Sequence, residues 1–196
     1  MRIKRLIDVV GSLTLLLLTA PLAVVICLAI STTSPGGALF RQARMGRGGH
    51  PFTMFKFRTM RAGADAERAA LAARNETNGH LFKLREDPRI TPVGRLLRRL
   101  SLDELPQLIN VLRGEMSLVG PRPLPVADSC YTGPDRIRLS VPPGLTGLWQ
   151  VSGRSELPWE EMVRLDTHYV ERRSLALDLV ILARTIPAVL TARGAH

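Results

Sequence analysis

The 196-residue chain has few of the residues that build disulfide frameworks, zinc sites and nucleic-acid stacking surfaces. Its two cysteines fall in an apolar tract (Cys27) and in a turn-rich stretch (Cys130), so the sequence predicts no disulfide and favours a reducing compartment. The four histidines are scattered and none lies at zinc-ligand spacing, which argues against a zinc site. Aromatic residues form 5% of the chain, too few for the platforms that bind single strands, and no nucleic acid is expected as a partner.

Acidic residues are outnumbered as well. The chain has 17 acidic and 27 basic residues, a net charge of +10, and this excess implies anionic partners such as anionic lipid or phosphorylated substrates. With 45% apolar residues, a chain of this length is sufficient for one domain with its own core.

The most prominent feature that is present is an uncharged run of 22 residues from Val9 to Ile30, long enough to cross a hydrocarbon core of about 30 Å. A cleaved signal peptide is disfavoured because Asp8 stands at the start of the run and no small-residue cleavage site follows. Pro21 lies within the run, where it removes a helical hydrogen bond. Three basic residues flank each end, so the positive-inside rule gives no orientation. Two hypotheses stay open: a plain spanning helix, and a helix broken at Pro21 that dips into one leaflet and returns.

The rest of the chain predicts an α+β fold that is mostly α. Residues 38–44 and 52–60 are typical of a β-hairpin, with Lys56 and Arg58 on one face of its second strand. Four further helical segments are predicted: an exposed one over 62–74, a basic amphipathic one over 93–102, its continuation over 105–112, and an interfacial or core-packed one over 174–193.

Two adjacent carboxylates, Asp103 and Glu104, stand in the tract 101–107 among several arginines. Capping is the more common explanation of such residues, because Ser-x-x-Glu is a capping box and acids favour the positive end of a helix. With Ser101 as the cap, Pro106 would fall where a backbone donor is needed. With Asp103 as the cap it would fall where none is missed.

The surrounding cations favour a phosphate site instead. A carboxylate that attacks phosphorus needs a cation beside it, and Mg²⁺ held by carboxylates is a common solution. Guanidinium and ammonium groups bind the phosphate oxygens. The candidate donors are Lys56, Arg58, Arg98, Arg122 and Arg154. Each alone would be explained as a solvated surface charge, and it is their number around one acidic pair that predicts a site.

Motifs along nearly the whole chain resemble those of one family. They are Lys4-Arg5-x-x-Asp8, Phe55-Lys56-Phe57-Arg58-Thr59-Met60, Asp87-Pro-Arg-Ile-Thr-x-x-Gly94, Ser101-Leu-Asp-Glu-Leu-Pro-Gln107, Val119-Gly-Pro-Arg-Pro123, Pro143-Gly-Leu-Thr-Gly-Leu-Trp-Gln-Val-Ser-Gly-Arg154, Leu165-Asp166-x-x-Tyr-Val170 and Ser174-x-x-x-Asp178. In this order they make the chain similar to the monotopic bacterial phosphoglycosyl transferases, the bacterial sugar transferase family, of the undecaprenyl-phosphate hexose-1-phosphate transferase type.

This resemblance implies a reaction and a site. Family members move a phosphosugar from a UDP-sugar to polyprenyl phosphate and release UMP, so Asp103 is the expected nucleophile of a covalent phosphosugar-aspartate. Asp103 and Glu104 are the expected Mg²⁺ ligands, and Arg98 is expected to contact phosphate. The Pro121-Arg122-Pro123 tract and Arg154 are expected to shape the nucleotide pocket. The resemblance of the Gly-Leu-Trp-Gln-Val tract to members that start hexose-based polysaccharides makes glucose or galactose the first expected sugar, and an N-acetylated sugar the second.

The resemblance also implies an architecture. Residues 1–35 would form a re-entrant membrane anchor broken at Pro21, although Ala20 stands where the family often has serine. Residues 36–196 would form a catalytic domain, with amphipathic interfacial helices, on the cytoplasmic face of the bacterial inner membrane. The expected partners are a UDP-sugar, polyprenyl phosphate, membrane lipids and downstream glycosyltransferases.

An alternative function is a catalytically silent one: a membrane-anchored basic protein that binds anionic lipid, or a scaffold of the same family. The net charge and the Arg/Leu segment support it. The acidic pair argues against it, because two carboxylates weaken the attraction of an anion. Magnesium-dependent turnover distinguishes the two functions.

Overall fold

The computed structural model describes residues 2–71, 84, 86–126, 131, 133–153 and 157–191. The helices are α1 (Arg2–Thr33), α2 (Pro92–Arg99), α3 (Gln107–Arg113), α4 (Leu148–Ser152), α5 (Trp159–Arg172) and α6 (Leu175–Leu190). The strands are β1 (Leu39–Met45), β2 (Pro51–Phe57), β3 (Ser117–Val119) and β4 (Gly144–Thr146). Short 3₁₀ segments cover Arg47–Gly49, Ala66–Arg68, Leu102–Glu104 and Gly133–Ser140. The predicted α+β fold with a predominance of helix is confirmed.

Helix α1 is one continuous element that contains Pro21, so the predicted interruption there is not confirmed. At 32 residues it is about 48 Å long. By length and composition it is sufficient to cross a membrane, and only 11% of its most apolar 18-residue window is buried. Its outward side carries exposed leucines, for example Leu17 and Leu18. The apolar run therefore faces away from the rest of the chain.

Both halves of α1 nevertheless contact the folded body. Near its start, Arg5 donates to the carbonyls of Val111 (2.5 Å) and Leu112 (2.8 Å) at the end of α3. Near its end, the buried Ile26 and Ile30 pack in a cluster with Phe57 and Leu97.

Two polar networks bind the first turns of α1 to the body. The Asp8 carboxylate accepts hydrogen bonds from the Ser117 hydroxyl (2.9 and 3.0 Å) and the Leu118 amide (3.0 Å) of β3. Lys4 donates to Asp178 of α6 (2.7 Å), whose other oxygen accepts from the Tyr169 hydroxyl (2.7 Å). The two carboxylates and the two hydroxyls of these networks all belong to buried residues.

The predicted hairpin is confirmed as β1 and β2, an antiparallel pair with Leu39 opposite Phe57 and Met45 opposite Pro51. A second sheet, β3 with β4, is parallel and was not predicted. Gly144 stands so close to the Gly120 backbone that any side chain at 144 would collide with it. The main core surrounds this sheet and contains Leu108, Val111, Met116, Val119, Tyr169 and Ile181, with neighbours packed against them.

Three of the four further helical segments are confirmed, as α2, α3 and α6. In α2 the Thr91 hydroxyl caps the Gly94 amide (2.9 Å), Leu97 is buried and Leu96 is exposed beside its arginines. In α6 the exposed apolar residues are Leu175, Leu179, Val180, Ile186 and Leu190. The helix predicted over 62–74 is wrong for its described part, which holds turns and one 3₁₀ segment. That segment offers little apolar surface to pack a helix against the body.

Candidate active site

The acidic pair lies in the 3₁₀ segment Leu102–Glu104, between α2 and α3. It does not cap a helix: neither Ser101 nor Pro106, which precedes α3, makes a side-chain cap. Ser101 adopts a left-handed conformation (φ 54°), which L-residues rarely adopt. The capping explanation is therefore wrong, and both carboxylates are available for another role.

Glu104 is held by two cations. Lys56 Nζ lies 3.0 Å from Glu104 Oε1. Arg122 binds Glu104 in a bidentate manner: its Nη1 donates to Oε2 (3.2 Å), and its Nη2 donates to Oε1. Burial alone would raise the pKa of Glu104, but the charges and hydrogen bonds of Arg122 and Lys56 outweigh it and hold that pKa far below its usual range. Glu104 is therefore ionised at every physiological pH.

Asp103 differs from its neighbour. It is buried (7% exposed), and its one described contact with a cation is a 3.4 Å approach of Lys56 to Oδ2. Burial raises the pKa of Asp103 despite the charge of Lys56, and the charge of Glu104 raises it further. The Glu104 carboxylate is thus fixed by close ion pairs, while the Asp103 carboxylate is shielded from water and makes only the longer contact with Lys56.

Secondary structure explains how these side chains meet. Lys56 lies on β2, and the fully buried Asn110 of α3 holds this strand by accepting from the Phe55 amide (3.1 Å) and donating to the Thr53 carbonyl (2.7 Å). Arg98, at the end of α2, donates to the Thr59 hydroxyl (2.9 Å). Its two terminal nitrogens make no hydrogen bond within the part of the chain that the structure describes.

The predicted site residues are not all brought together. Arg58 follows the end of β2 and donates to the carbonyls of Ser34 (2.8 Å), Pro35 (2.6 Å) and Gly36 (3.2 Å), so its guanidinium closes the loop after α1.

Arg154 lies outside the described residues. Pro121 and Pro123 are buried and flank Arg122. Lys56, Arg98 and Arg122 are the cations whose charges act on the pair.

A small cavity of about 10 Å³, enough for about one water molecule and open to solvent on one side, adjoins Arg122. The lining residues that matter here are Pro121, Arg122, Pro123, Tyr131, Arg138 and Pro143. The predicted Pro-Arg-Pro tract therefore forms one wall of this cavity.

Sequence reasoning assigned no role to Arg138 and included Asp166 only within a motif. They form a buried ion pair, with Arg138 Nη2 2.7 Å from Asp166 Oδ2. Burial raises the pKa of Asp166 to about 7, against the opposing charge of Arg138. Nothing in the local sequence around Arg138, in a turn-rich stretch, signals this long-range contact.

The acidic pair fits a magnesium ion. Among the described residues there is no cluster of three or more metal-binding side chains, so a cage made by protein alone is not formed there. Mg²⁺ is commonly bound through one or two carboxylates, with water and substrate phosphate completing the octahedron. Asp103 and Glu104 supply such a set, and Asp103 is the less occupied of the two.

The buried Asp166 should make stability depend on pH. Because its pKa is higher in the folded than in the unfolded state, the folded state holds the extra proton between about pH 4 and 7. Stability should therefore fall as the pH rises through this window. Relative to Asp166→Asn, the wild type should lose about 2–3 kcal/mol of unfolding free energy between pH 5 and 8. Thermal unfolding of both proteins at the two pH values measures this, and a constant difference would contradict it.

The chain thus combines a long apolar helix, a small α+β body and a buried acidic pair held by cations. Residues 1–192 match the family described as "Bacterial sugar transferase", and the chain belongs to this family.

Curated relatives agree. The chain is 46% identical over 202 residues to the UDP-glucose:undecaprenyl-phosphate glucose-1-phosphate transferase of Caulobacter vibrioides, covering 98% of this chain and 72% of the relative. It is 43% identical over 199 residues to the exopolysaccharide production protein ExoY of Rhizobium meliloti, with 98% and 88% covered. It is 42% identical to the undecaprenyl-phosphate galactose phosphotransferase of Salmonella typhimurium, of which it spans 42%. This last relative is thus more than twice as long as the chain.

Proposed function

We propose that this protein transfers a sugar phosphate from a UDP-sugar to undecaprenyl phosphate, as an early membrane step of polysaccharide synthesis. The family and the names of the relatives support this reaction. Two of those names specify glucose and galactose, which supports a hexose donor.

The observation that carries the mechanism is the asymmetry of the acidic pair. A nucleophile must have a free lone pair, and Asp103 is the carboxylate that is not fixed by a close ion pair. Glu104 cannot readily attack, because Lys56 and Arg122 engage both of its oxygens. We therefore assign the nucleophile to Asp103 and a positioning role to Glu104.

The reaction then has two displacements. A carboxylate oxygen of Asp103 attacks the β-phosphorus of the UDP-sugar, the bond from that phosphorus to the bridging oxygen breaks, and UMP leaves. An oxygen of undecaprenyl phosphate next attacks the phosphorus of the aspartyl phosphosugar. The Asp103–phosphorus bond breaks, and the carboxylate is restored with the sugar on a diphosphate-linked lipid.

Cations of the chain would neutralise the phosphates. Arg98 has two terminal nitrogens without described partners, and the pair of donors suits two phosphate oxygens. Arg122 pairs with Glu104 beside Asp103, so it is placed to contact a phosphate of the donor at the acidic pair. A magnesium ion bound by Asp103 and Glu104 would supply charge neutralisation of the diphosphate.

The test is UMP release by the purified protein in nanodiscs with undecaprenyl phosphate, Mg²⁺ and a panel of UDP-sugars. We expect UMP with UDP-glucose or UDP-galactose, and loss of UMP when a chelator is added. UDP as the product would refute the phosphosugar transfer. Folded protein that releases neither product with any donor would favour the silent lipid-binding function.

We further propose that α1, continuous as it is, bends at Pro21 within the membrane and so enters and leaves on one face, and that the body lies on the cytoplasmic face of the inner membrane. Its first turns, through Arg5 and Asp8, and its last turns, through Ile26 and Ile30, contact the same body. A helix whose two ends lay on opposite sides of the membrane would not allow both contacts. The exposed leucines between them would lie in lipid.

Cysteine labelling tests this topology. In a background with both native cysteines changed to serine, Ile3→Cys and Thr33→Cys place one thiol near each end of α1, at exposed positions. In intact spheroplasts, an impermeant maleimide should label neither position, and it should label both after permeabilisation. Labelling of one end alone in intact spheroplasts would establish a spanning helix. A periplasmic cysteine serves as the positive control.

A further inference from the structure

Behind the proposed site lies an ion pair that the reaction above does not use. Arg138 comes from the 3₁₀ segment Gly133–Ser140 and Asp166 from α5. Their exposed fractions are 3% and 0%, and 2.7 Å separates Arg138 Nη2 from Asp166 Oδ2. Both groups are thus removed from solvent and tied to each other.

The same nitrogen of Arg138 also contacts the site. Nη2 lies 3.3 Å from the backbone carbonyl of Arg122, to which it donates. The Arg122 side chain in turn forks Glu104. A continuous chain of polar contacts therefore runs from Asp166 through Arg138 and Arg122 to the acidic pair.

Stability alone gives a poor explanation of this ion pair. The Nε and Nη1 of Arg138 and both carboxylate oxygens of Asp166 are buried without a hydrogen bond among the described residues, so the two groups meet as an ion pair only. Unpaired buried polar atoms disfavour folding. An apolar pair of similar volume is commonly as stable as a buried ion pair. The rings of Tyr131 (5.7 Å) and Trp159 (5.2 Å) lie against the guanidinium, which restricts where it can move.

We propose that Arg138 and Asp166 are positioning residues, which hold the Arg122 backbone so that its side chain reaches Glu104 and the cavity. Asp166 orients the Arg138 guanidinium, and Arg138 fixes the Arg122 carbonyl. The prolines on both sides of Arg122 have restricted φ, so fixing this carbonyl also fixes the origin of its side chain. The catalytic consequence rests on the proposed transferase function.

A double-mutant cycle separates positioning from general structural support. Asp166→Asn should lower kcat/KM for the UDP-sugar about tenfold, as loss of an orienting group does elsewhere. In an Arg122→Ala background the same substitution should change kcat/KM less than about twofold, because the group being positioned is gone. Arg138→Lys keeps the charge but cannot reach Asp166 and the carbonyl together, and it should behave like Asp166→Asn.

Tyr169→Phe is the matched control on the same helix. Tyr169 is buried like Asp166, and its hydroxyl bonds Asp178 and the Val119 carbonyl without touching Arg122. Tyr169→Phe should lower the melting temperature at least as much as Asp166→Asn does. Its effect on kcat/KM should be the same in the wild-type and the Arg122→Ala backgrounds. Equal losses for Asp166→Asn in both backgrounds would overturn the proposal.

Hydrogen exchange tests the positioning without any activity. The Gly144 amide donates to the Pro121 carbonyl and the Met45 amide to the Leu124 carbonyl, on either side of Arg122. Exchange of both should speed up in Asp166→Asn and Arg138→Lys, but not in Tyr169→Phe. Unchanged exchange in the first two overturns the positioning, whether or not the wild type is active. If the wild type is inactive but exchange is faster in Asp166→Asn and Arg138→Lys, the proposed function is overturned and the positioning role is not.

Discussion

Asp103→Asn should abolish UMP release, with a loss of about 1,000-fold or more in kcat, because an amide does not replace a carboxylate nucleophile. The substitution should not cost stability. Since burial raises the pKa of Asp103, its ionised form disfavours the folded state at neutral pH, and the neutral asparagine removes this cost. In metal-free buffer we therefore expect a melting temperature equal to or above that of the wild type.

Glu104→Gln is the matched control for this variant. It removes the adjacent charge, and it leaves Lys56 and Arg122 without their shared partner. We expect lower activity together with lower stability, the opposite sign of the stability effect at Asp103. Trapping supplies the second measurement: a wild-type protein incubated with donor alone should gain the mass of one phosphohexose, and Asp103→Asn should not. Full activity of Asp103→Asn would refute the assignment of the nucleophile.

Arg122→Ala should have the second largest effect, about a 100-fold loss in kcat/KM, in the range seen when one preorganised donor of an active site is removed. There are two physical reasons: Glu104 loses its bidentate partner, and the cavity beside Arg122 loses a cation. Arg122→Lys should recover part of the loss, because one ammonium restores the charge without the two-point geometry. UMP release across a range of donor concentrations measures both variants.

The control for Arg122 is Arg113→Ala. Arg113 is exposed and its guanidinium lies 4.9 Å from the Phe55 ring, away from the carboxylates in its described contacts. It removes the same charge from the protein, and its kcat/KM should stay within about twofold of the wild type. Equal losses at 113 and 122 would mean that net charge, rather than the contact with Glu104, determines activity.

The sequence was sufficient for features that are local. The acidic pair is contiguous, so its identity required no fold, and the alternation of 52–57 predicted β2 because a strand has a period of two. The hairpin bounds differ from the prediction by one residue in β1, and β2 ends three residues earlier than expected. The leucine pattern that predicted α2 is likewise local, because its residues all lie on one helix.

Features that depend on contacts between distant segments were not predicted. β3 and β4 have three residues each, too short for a periodic signal, and they meet because Gly120 and Gly144 allow close approach. Arg58 shares a strand pattern with Lys56, yet the loop carbonyls at 34–36 take its guanidinium. The Arg138–Asp166 pair joins residues from the segment 133–140 and α5, which no spacing rule relates.

The contacts of the first turns of α1 also bear on protein engineering. A soluble version of a membrane protein is often sought by deleting its anchor, which works when the anchor is a tether. Here the deletion of residues 1–35 would take away the partner of Ser117 and of the Leu118 amide, and the cation beside Asp178. It would also free the last carbonyls of α3, the helix that follows the acidic pair. The apolar helix is thus a structural member of the catalytic body, and detergent or nanodiscs are the suitable route to a folded preparation.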